Sequence, residues 1–107
     1  MDQGDYKVRL ANCRLCNRLV EHHKAIRRIH PNYFAAPVPI WGDEKSKILI
    51  VGLAPGLHGA SRTGQAFVGD SSGDFLFAAL FKIGWASSPK SDEAILYKVM
   101  ITNAVKC

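Results

Sequence analysis

The sequence predicts an α/β protein of the three-layer α/β/α class, with a mostly parallel central sheet that is incomplete in this chain. Two apolar runs, KILIVG at residues 47–52 and YKVMITNAV at residues 97–105, have the composition of strands. Between them, a glycine-rich loop at residues 52–73 leads into a helical pattern that begins near Asp74. A strand, a helix and a second strand in this order normally form a right-handed parallel crossover, so both strands are expected in one sheet.

The composition indicates one small domain with a modest core, since the chain has 107 residues of which 48% are hydrophobic. Lys and Arg total 14 against 9 Asp and Glu, and seven of the basic residues fall within residues 1–28. This excess suits a polyanion partner, although a solvated helix face explains it almost as well. The sequence has no secretory pattern and no membrane-spanning apolar stretch, so we expect a cytoplasmic protein of a prokaryote, associated with the nucleoid and without a membrane partner. We also expect a monomer.

The first predicted element is an amphipathic basic helix at residues 12–29. Apolar side chains at positions 15, 19, 26 and 29 keep helical spacing, while Arg14, Arg18 and Arg28 lie on the other side. The segment that follows, HPNYFAAPVPIWGDEKS at residues 30–46, contains three prolines, which force extended backbone. It is therefore a connector that leads to the first strand.

The first strand and the helix after the loop complete the predicted unit. The run KILIV is apolar and β-branched after Lys47, which is typical of a strand buried on both faces. Ser71 or Ser72 is expected to cap a helix that starts near Asp74. Its inner face is expected to contain Leu76, Leu80 and Ile83.

Cys13 and Cys16 form a C-x2-C pair, and Cys107 is the third cysteine. This spacing lets two thiolates reach one metal centre, but zinc ribbons, iron-sulfur proteins and thioredoxin-like redox sites all use it. The pair opens a helix with no strand before it, which disfavours a thioredoxin-like site. A four-ligand site lacks one cysteine, with three histidines as conceivable substitutes: His22, His23 and His30. Taken alone, Cys107 is better explained as a small buried hydrophobic residue.

The loop at residues 52–73 contains six of the nine glycines and follows the carboxyl end of a strand, where open α/β sheets bind ligands. Glycines there let backbone N–H groups approach an anionic or carbonyl-rich ligand closely. Neither G-x-G-x-x-G nor G-x-x-x-x-G-K-[ST] occurs in the sequence. Dinucleotide and P-loop nucleotide binding therefore lose their support.

Three motifs in order resemble the iron-sulfur uracil-DNA glycosylases of family five (type b): GLAPG at residues 52–56, GASRTGQAFVGDSSGDFL at residues 59–76 and ITNAVKC at residues 101–107. The resemblance covers nearly the whole chain and includes the C-x2-C pair. Leu53 stands where the family-four branch has an acidic residue, which points away from that branch. The resemblance implies a hydrolase that excises uracil, and other deaminated bases, from DNA in base-excision repair. Residues 1–107 would then be the amino-terminal part of a single glycosylase domain.

The resemblance also implies that Cys13, Cys16 and Cys107 hold a structural 4Fe-4S cluster, whose fourth cysteine lies further along the chain in relatives. A histidine-containing carboxyl-terminal motif that helps relatives bind base and DNA is absent from these residues as well. We therefore expect that residues 1–107 are a fragment and that this fragment alone is inactive. The alternative is a non-catalytic α/β nucleic-acid-binding module, in which Cys13, Cys16 and a histidine hold zinc.

If the chain excises bases, as the resemblance implies, residues of the loop and of the second strand have expected roles. Phe67 matches the position on which relatives stack the flipped base, and Asn103 matches the amide that pairs with its edge. Without the resemblance, Phe67 is better explained as a core ring and Asn103 as a turn residue. The backbone around the first motif is expected to present N–H donors to the carbonyl of the leaving base; the motif comprises Gly52, Leu53, Ala54, Pro55 and Gly56.

Water activation needs a polar group that GLAPG does not contain. Asp70 is therefore the expected catalytic carboxylate, and Asp74 is a capping residue and the lesser candidate. His58 and Arg62 lie in the same loop, where they are expected to contact base or phosphate. Two further DNA contacts are expected from the basic helix, through phosphate attraction that does not depend on sequence, by Arg14 and Arg18.

Overall fold

A computed structural model describes residues 3–107. Within them the chain forms seven elements in order: α1 (Gln3–Ala11), α2 (Asn17–Ile29), β1 (Trp41–Gly42), β2 (Ile48–Gly52), α3 (Ala60–Thr63), α4 (Ser71–Lys82) and β3 (Val99–Asn103). The predicted α/β class is confirmed. In this described part of the chain, every helix is too short or too polar to cross a membrane.

The sheet has three strands in the order β1-β3-β2. Strands β2 and β3 are parallel, as predicted, with Ile48 opposite Val99 and Gly52 opposite Asn103. Strand β1 runs antiparallel to β3, and an isolated bridge between Ala86 and Leu96 is also antiparallel. The sheet is therefore mixed, which corrects the expectation of a mostly parallel sheet. The proline-rich connector, which was expected to be extended, contains β1, and Trp41 of β1 pairs with β3.

Strand β3 is the centre of the fold, because it has a neighbour on each side and every residue in it is buried. Val99 and Ile101 lie on one face and belong to the same core cluster as Phe77 of α4. The alternate residues Met100 and Thr102 point to the opposite face and are buried too. Helix α4 thus covers one face of β3, and the opposite face is buried as well.

Strand β2 was expected to be buried on both faces, and this expectation is wrong. The side chains of Ile48, Leu49 and Val51 are 42%, 51% and 55% exposed. Within the described residues, β2 has a strand neighbour on one side only, so it is the edge of the sheet. An apolar composition identifies a strand, but it does not report what packs on the two faces of that strand.

The amino-terminal region contains two helices where one was expected. Helix α1 ends at Ala11, and α2 begins only at Asn17, so the C-x2-C pair lies in the segment between them. Ile26 is buried as the spacing predicted, but Leu15 is 90% exposed. Leu15 precedes α2, and helical spacing therefore does not govern where its side chain points.

Helix α4 begins earlier than predicted and has a different cap. Asp70 is its N-cap residue, and its side chain accepts a hydrogen bond from the Gly73 backbone N–H at 3.0 Å. Ser71 and Ser72 therefore lie inside the first turn. A carboxylate satisfies a free N–H of the helix end as well as a serine does, and the adjacent serines obscured this in the sequence.

The inner face of α4 is formed by Phe77 and Leu80, which are 0% and 5% exposed, with Leu76 half-buried beside them. Ile83, which was also expected there, is 59% exposed. It is the C-cap residue, so it lies beyond the last helical turn and does not continue the buried stripe. The helix thus covers the core with its middle turns and leaves its amino end free to border a pocket.

Candidate functional site

A pocket of about 290 Å³ lies at the carboxyl ends of β2 and β3. The strands are parallel and in register, so the loop that leaves β2 meets the end of β3 at this edge. The pocket is lined by Leu53, Ala54, Gly56, Ala60, Phe67, Asp70, Ser72 and Asn103. Six of these eight were predicted from the sequence as site residues.

Two residues of the pocket lining were not predicted, and three predicted base-binding residues lie outside the lining. Ala60 and Ser72 were not predicted, and the only signal for them was their place in the two loop motifs. Three residues predicted to bind the base do not line the pocket: Gly52, Pro55 and His58. Gly52 lies directly behind the lining, where it determines how close two of the lining side chains come.

Gly52 makes room for both Asn103 and Phe67. A Cβ atom placed on Gly52 would lie 2.5 Å from Asn103 Oδ1 and 2.6 Å from Phe67 Cζ, well inside van der Waals contact. The Asn103 side chain is 4% exposed, so its amide is held at the inner end of the pocket. A glycine at the end of β2 is therefore needed for steric reasons, because it brings an amide and an aromatic ring together.

Phe67 has a left-handed backbone with a φ angle of 63°. This conformation costs an aromatic residue about 1–2 kcal/mol relative to the common regions. Gly73 fits against the Phe67 carbonyl, where a Cβ atom would overlap the oxygen. The neighbouring Ala66 carbonyl accepts a hydrogen bond from Trp41 Nε1 at 3.0 Å, and the Trp41 ring stacks on Phe77 at 5.8 Å. The surrounding packing thus maintains the strained turn.

The Phe67 ring contacts both the hydrophobic core and the pocket. It is half-buried, packs against the core cluster and also lines the pocket. The two explanations that the sequence offered, a core ring and a base platform, are thus structurally compatible.

Asp70 presents its two carboxylate oxygens to different partners. Oδ1 accepts the hydrogen bond from Gly73 N–H, while Oδ2 faces the backbone of Gly56 and Gly59. Asp74, the lesser candidate, is exposed in the first turn of α4 and is not part of the pocket lining. Of the two carboxylates, only Asp70 therefore lies where a ligand in this pocket would reach it.

His58 and Arg62 are engaged beside the pocket. The Tyr33 hydroxyl and His58 Nδ1 share a hydrogen bond of 2.7 Å, and His30 stacks on the Tyr33 ring at 4.3 Å. Arg62 donates from Nε to the His58 carbonyl at 2.7 Å and from Nη2 to the Gly69 carbonyl at 3.1 Å. The guanidinium thus bridges two parts of the loop.

The three cysteines share one neighbourhood. Burial raises the pKa of the Cys107 thiol above its usual value, and negative charge on Cys13 and Cys16 raises it further. His23 Nε2 lies 3.0 Å from the Cys107 carbonyl oxygen, which ties α2 to the segment after β3. Among residues 3–107, however, no three Cys, His, Asp or Glu side chains are arranged to hold one metal ion. Cys13 and Cys16 thus lie near enough to act electrostatically on Cys107, but the three thiols do not form a closed ligand set.

The predicted DNA-binding residues of the amino-terminal region are exposed. Arg14 precedes α2 and Arg18 lies in its first turn, and both side chains face solvent. Arg27, by contrast, donates a hydrogen bond to the Ala35 carbonyl at 2.6 Å. Arg14 and Arg18 are accessible to a polyanion, whereas Arg27 helps to hold the connector.

The sequence of this region matches a known family. Residues 39–107, which include the whole sheet and the pocket, match the model of the uracil DNA glycosylase superfamily. The chain belongs to the uracil-DNA glycosylase superfamily. The resemblance that the three motifs indicated is thereby confirmed at the level of the superfamily.

Within that superfamily the chain is similar to curated proteins named type-5 uracil-DNA glycosylase. The relative from Pyrobaculum aerophilum is 44% identical, over 96% of this chain and 49% of its own length. The relative from Thermus thermophilus is also 44% identical, over 100% and 52%. The relative from Mycobacterium leprae is 41% identical, over 96% and 49%. The chain therefore spans about half the length of the curated relatives it matches.

Proposed function

We propose that these residues form the base-binding part of a DNA glycosylase, which hydrolyses the N-glycosidic bond of deoxyuridine in DNA and so starts base-excision repair. The observation that carries this proposal is the meeting of Asp70, Phe67 and Asn103 in one pocket, in a chain of this superfamily. The relatives' printed name, type-5 uracil-DNA glycosylase, supports the same substrate and reaction. In this proposal residues 1–107 are the amino-terminal part of one domain.

The pocket offers the groups that recognition of a flipped base requires. A base that has left the duplex stack needs an aromatic surface, and Phe67 supplies one. The buried Asn103 amide has both a donor and an acceptor, so it matches the N3–H and O4 edge of uracil. Backbone N–H groups of the GLAPG turn, which are present at every residue of 52–56 except Pro55, would stabilise negative charge on the departing base.

Asp70 supplies the carboxylate for hydrolysis. As the bond between C1′ and the base breaks, its electron pair leaves with the base, and the sugar becomes positively charged. A water molecule bonded to Asp70 Oδ2 attacks C1′ and gives its proton to the carboxylate. The base anion then takes a proton from solvent, so the products are free uracil and an abasic site.

The walls of the pocket favour a base range broader than uracil. Leu53 and Ala54 line it with apolar side chains and thus add no side-chain hydrogen bond that would reject a different base edge. Other deaminated bases, such as hypoxanthine, are therefore proposed substrates. Leu53 is 81% exposed, which leaves the mouth of the pocket open.

DNA binding and the cofactor belong to the same proposal. Arg14 and Arg18 would attract phosphates without reading sequence, and Arg62 would contact the backbone beside the pocket. The gathered thiols have the donor type that iron-sulfur clusters prefer, so Cys13, Cys16 and Cys107 would hold a 4Fe-4S cluster with one further ligand. Such a cluster supplies a structural link between the segment before α2 and the segment after β3.

The zinc-containing binding module is not favoured. Membership of a glycosylase superfamily favours an enzyme over a binding module. We further propose that the protein acts as a monomer in the cytoplasm.

The test is Asp70→Asn in a full-length form that carries the fourth cysteine. The substitution keeps the size of the side chain but removes the charge, so uracil release should fall by on the order of a hundredfold or more. Asp74→Asn is the matched control, because it removes a carboxylate from the same helix turn outside the pocket. Single-turnover release from a uracil-containing oligonucleotide measures both variants. Near-normal release by Asp70→Asn would contradict the assignment.

A further inference from the structure

Helix α3 is a single turn within the loop at residues 52–73. Its polar side chains form hydrogen bonds to backbone carbonyl groups of the residues that precede Asp70. Arg62 Nη2 donates to the Gly69 carbonyl at 3.1 Å, and Thr63 Oγ1 bonds to the Val68 carbonyl at 2.9 Å. Val68 and Gly69 are the two residues that precede Asp70 in sequence. Two successive carbonyl groups before the carboxylate are thus held by side chains of one short helix.

The residue before α3 limits the carboxylate itself. Gly59 is buried, and a Cβ atom on it would overlap Asp70 Oδ2 and lie 2.9 Å from Cγ. A Cβ atom on Gly56 would lie 3.1 Å from the same oxygen, which is tight but not an overlap. We call the space between the backbones of Gly56 and Gly59 the carboxylate slot. Only a residue without a side chain at position 59 leaves this slot open.

We infer that α3 and the carboxylate slot position the Asp70 carboxylate for reaction, with Arg62 and Gly59 as positioning residues. The inference rests on the proposed catalytic role of Asp70. Gly73 N–H fixes Oδ1, the slot fixes where Oδ2 lies, and Arg62 with Thr63 fixes the backbone ahead of both oxygens. A catalytic group displaced by about 1 Å can lose on the order of a hundredfold in rate.

This inference gives Arg62 a role different from a contact with phosphate. Its Nε also donates to the His58 carbonyl at 2.7 Å, so one guanidinium holds two carbonyl groups from separate parts of the loop. A lysine keeps the positive charge but has a single nitrogen, which cannot reproduce this fork. Arg62→Lys therefore separates the two roles, since a phosphate contact needs the charge and the bridge needs the fork.

The experiment uses the full-length form with its cluster and measures kcat and KM for uracil release. Gly59→Ala should lower kcat by about a hundredfold, because the added Cβ atom would overlap Asp70 Oδ2. Gly56→Ala should lower kcat less, because its Cβ atom would lie 3.1 Å from the same oxygen. Arg62→Lys should lower kcat by about tenfold, while KM and its salt dependence stay unchanged. Thr63→Val should lower kcat, and Thr63→Ser, which keeps the hydroxyl, should restore it.

Gly84→Ala is the matched control for substitution of a glycine. Gly84 has a φ angle of 80° and nothing within 4 Å of an added Cβ, and it follows the far end of α4. Alanine there should lower the thermal midpoint without changing kcat. A Gly59→Ala protein that loses kcat only as much as it loses folded material would overturn the role of the slot. If Gly59→Ala does not fold, Arg62→Lys and the Thr63 pair decide instead.

Asp70→Asn is measured in parallel, so that two kinds of failure are distinguished. If Asp70→Asn is impaired while Gly59→Ala and Arg62→Lys keep a normal kcat, the positioning role is wrong and the catalytic assignment survives. If Asp70→Asn is normal, the catalytic assignment fails and the positioning role fails with it. A normal kcat in Arg62→Lys, together with a raised KM in Arg62→Gln, would instead assign Arg62 to phosphate.

Discussion

Residues 3–107 form a complete pocket lining, but the three cysteines in the same residues do not form a complete metal-binding site. The pocket is shaped by backbone contacts, since Gly52 and Gly73 each fit where any side chain would overlap a neighbour. The thiols are only gathered, and Cys16 remains exposed. Packing between strands and loops fixes a pocket without a ligand, whereas a metal site takes its final geometry from the metal and all of its ligands. The two sites should therefore respond independently to substitution.

The largest effect is expected from Gly52→Ala. The added methyl group would displace Phe67 or Asn103, so uracil release in the full-length form should fall by about a hundredfold, as for other small displacements in a catalytic site. The iron content per folded protein should stay unchanged, because the cysteines lie elsewhere. Single-turnover release and iron analysis of the same preparation check this. Loss of iron in parallel with activity would show that the two sites are coupled.

The second prediction concerns the cysteine neighbourhood. Cys13→Ser should lower iron retention by at least about tenfold, the scale on which metal sites lose affinity when their coordination is disturbed. Trp41 reports on the pocket, because its ring nitrogen bonds to Ala66 next to Phe67. Its fluorescence should change little, and Cys107→Ser should behave in the same way. A large spectral shift in either variant would mean that the proposed cluster site holds the pocket together.

The third prediction concerns the basic residues that flank the cysteines. The double variant Arg14→Ala with Arg18→Ala should reduce the slope of log affinity against log salt by about 1.8 for duplex DNA, since each phosphate contact contributes about 0.9. Lys82→Ala with Lys90→Ala is the control, because these exposed lysines lie away from the cysteines in sequence and Lys82 ends α4. An equal change of the salt slope in both double variants would indicate that DNA is attracted by the overall positive charge and not by the surface that contains Arg14 and Arg18.

The smallest effect is expected from His23→Phe. The substitution removes the hydrogen bond to the Cys107 carbonyl and should lower the free energy of unfolding by about 1 kcal/mol. Denaturant unfolding of the metal-free protein measures this, and kcat for uracil release should not change. A loss of more than a few kcal/mol would mean that His23 holds the core and not only the segment after β3.

The sequence predicted the parts of the site that depend on residue type and local order. Phe67 and Asp70 lie in the second motif and Asn103 lies in the third, and a loop at the carboxyl end of a parallel strand was expected to bind a ligand. The resemblance to a family added their roles, which composition and spacing could not supply. The pocket was therefore predictable from motifs, before any contact was known.

The contacts that hold those residues in place were not predictable in the same way. The hydrogen bond from Trp41 to Ala66, the Arg62 bridge and the carboxylate slot at Gly59 each join residues whose proximity follows from the tertiary fold. Asp70 as the cap of α4 was missed because two serines follow it directly. The exposure of β2 was missed because an apolar strand looks the same in a sequence whether or not its faces are covered by other elements.

The left-handed backbone at Phe67 has a consequence for how the protein tolerates change. A residue such as glycine or asparagine would adopt this conformation at lower energy, but it would remove the ring from the pocket. For folding, the strain that is relieved and the packing that is lost partly offset each other, whereas the proposed base platform is removed completely. Selection for stability alone would not retain an aromatic residue at this position. Variants at position 67 should therefore accumulate in cells as abundant, folded and inactive protein, which separates the requirements of folding from those of function at a single residue.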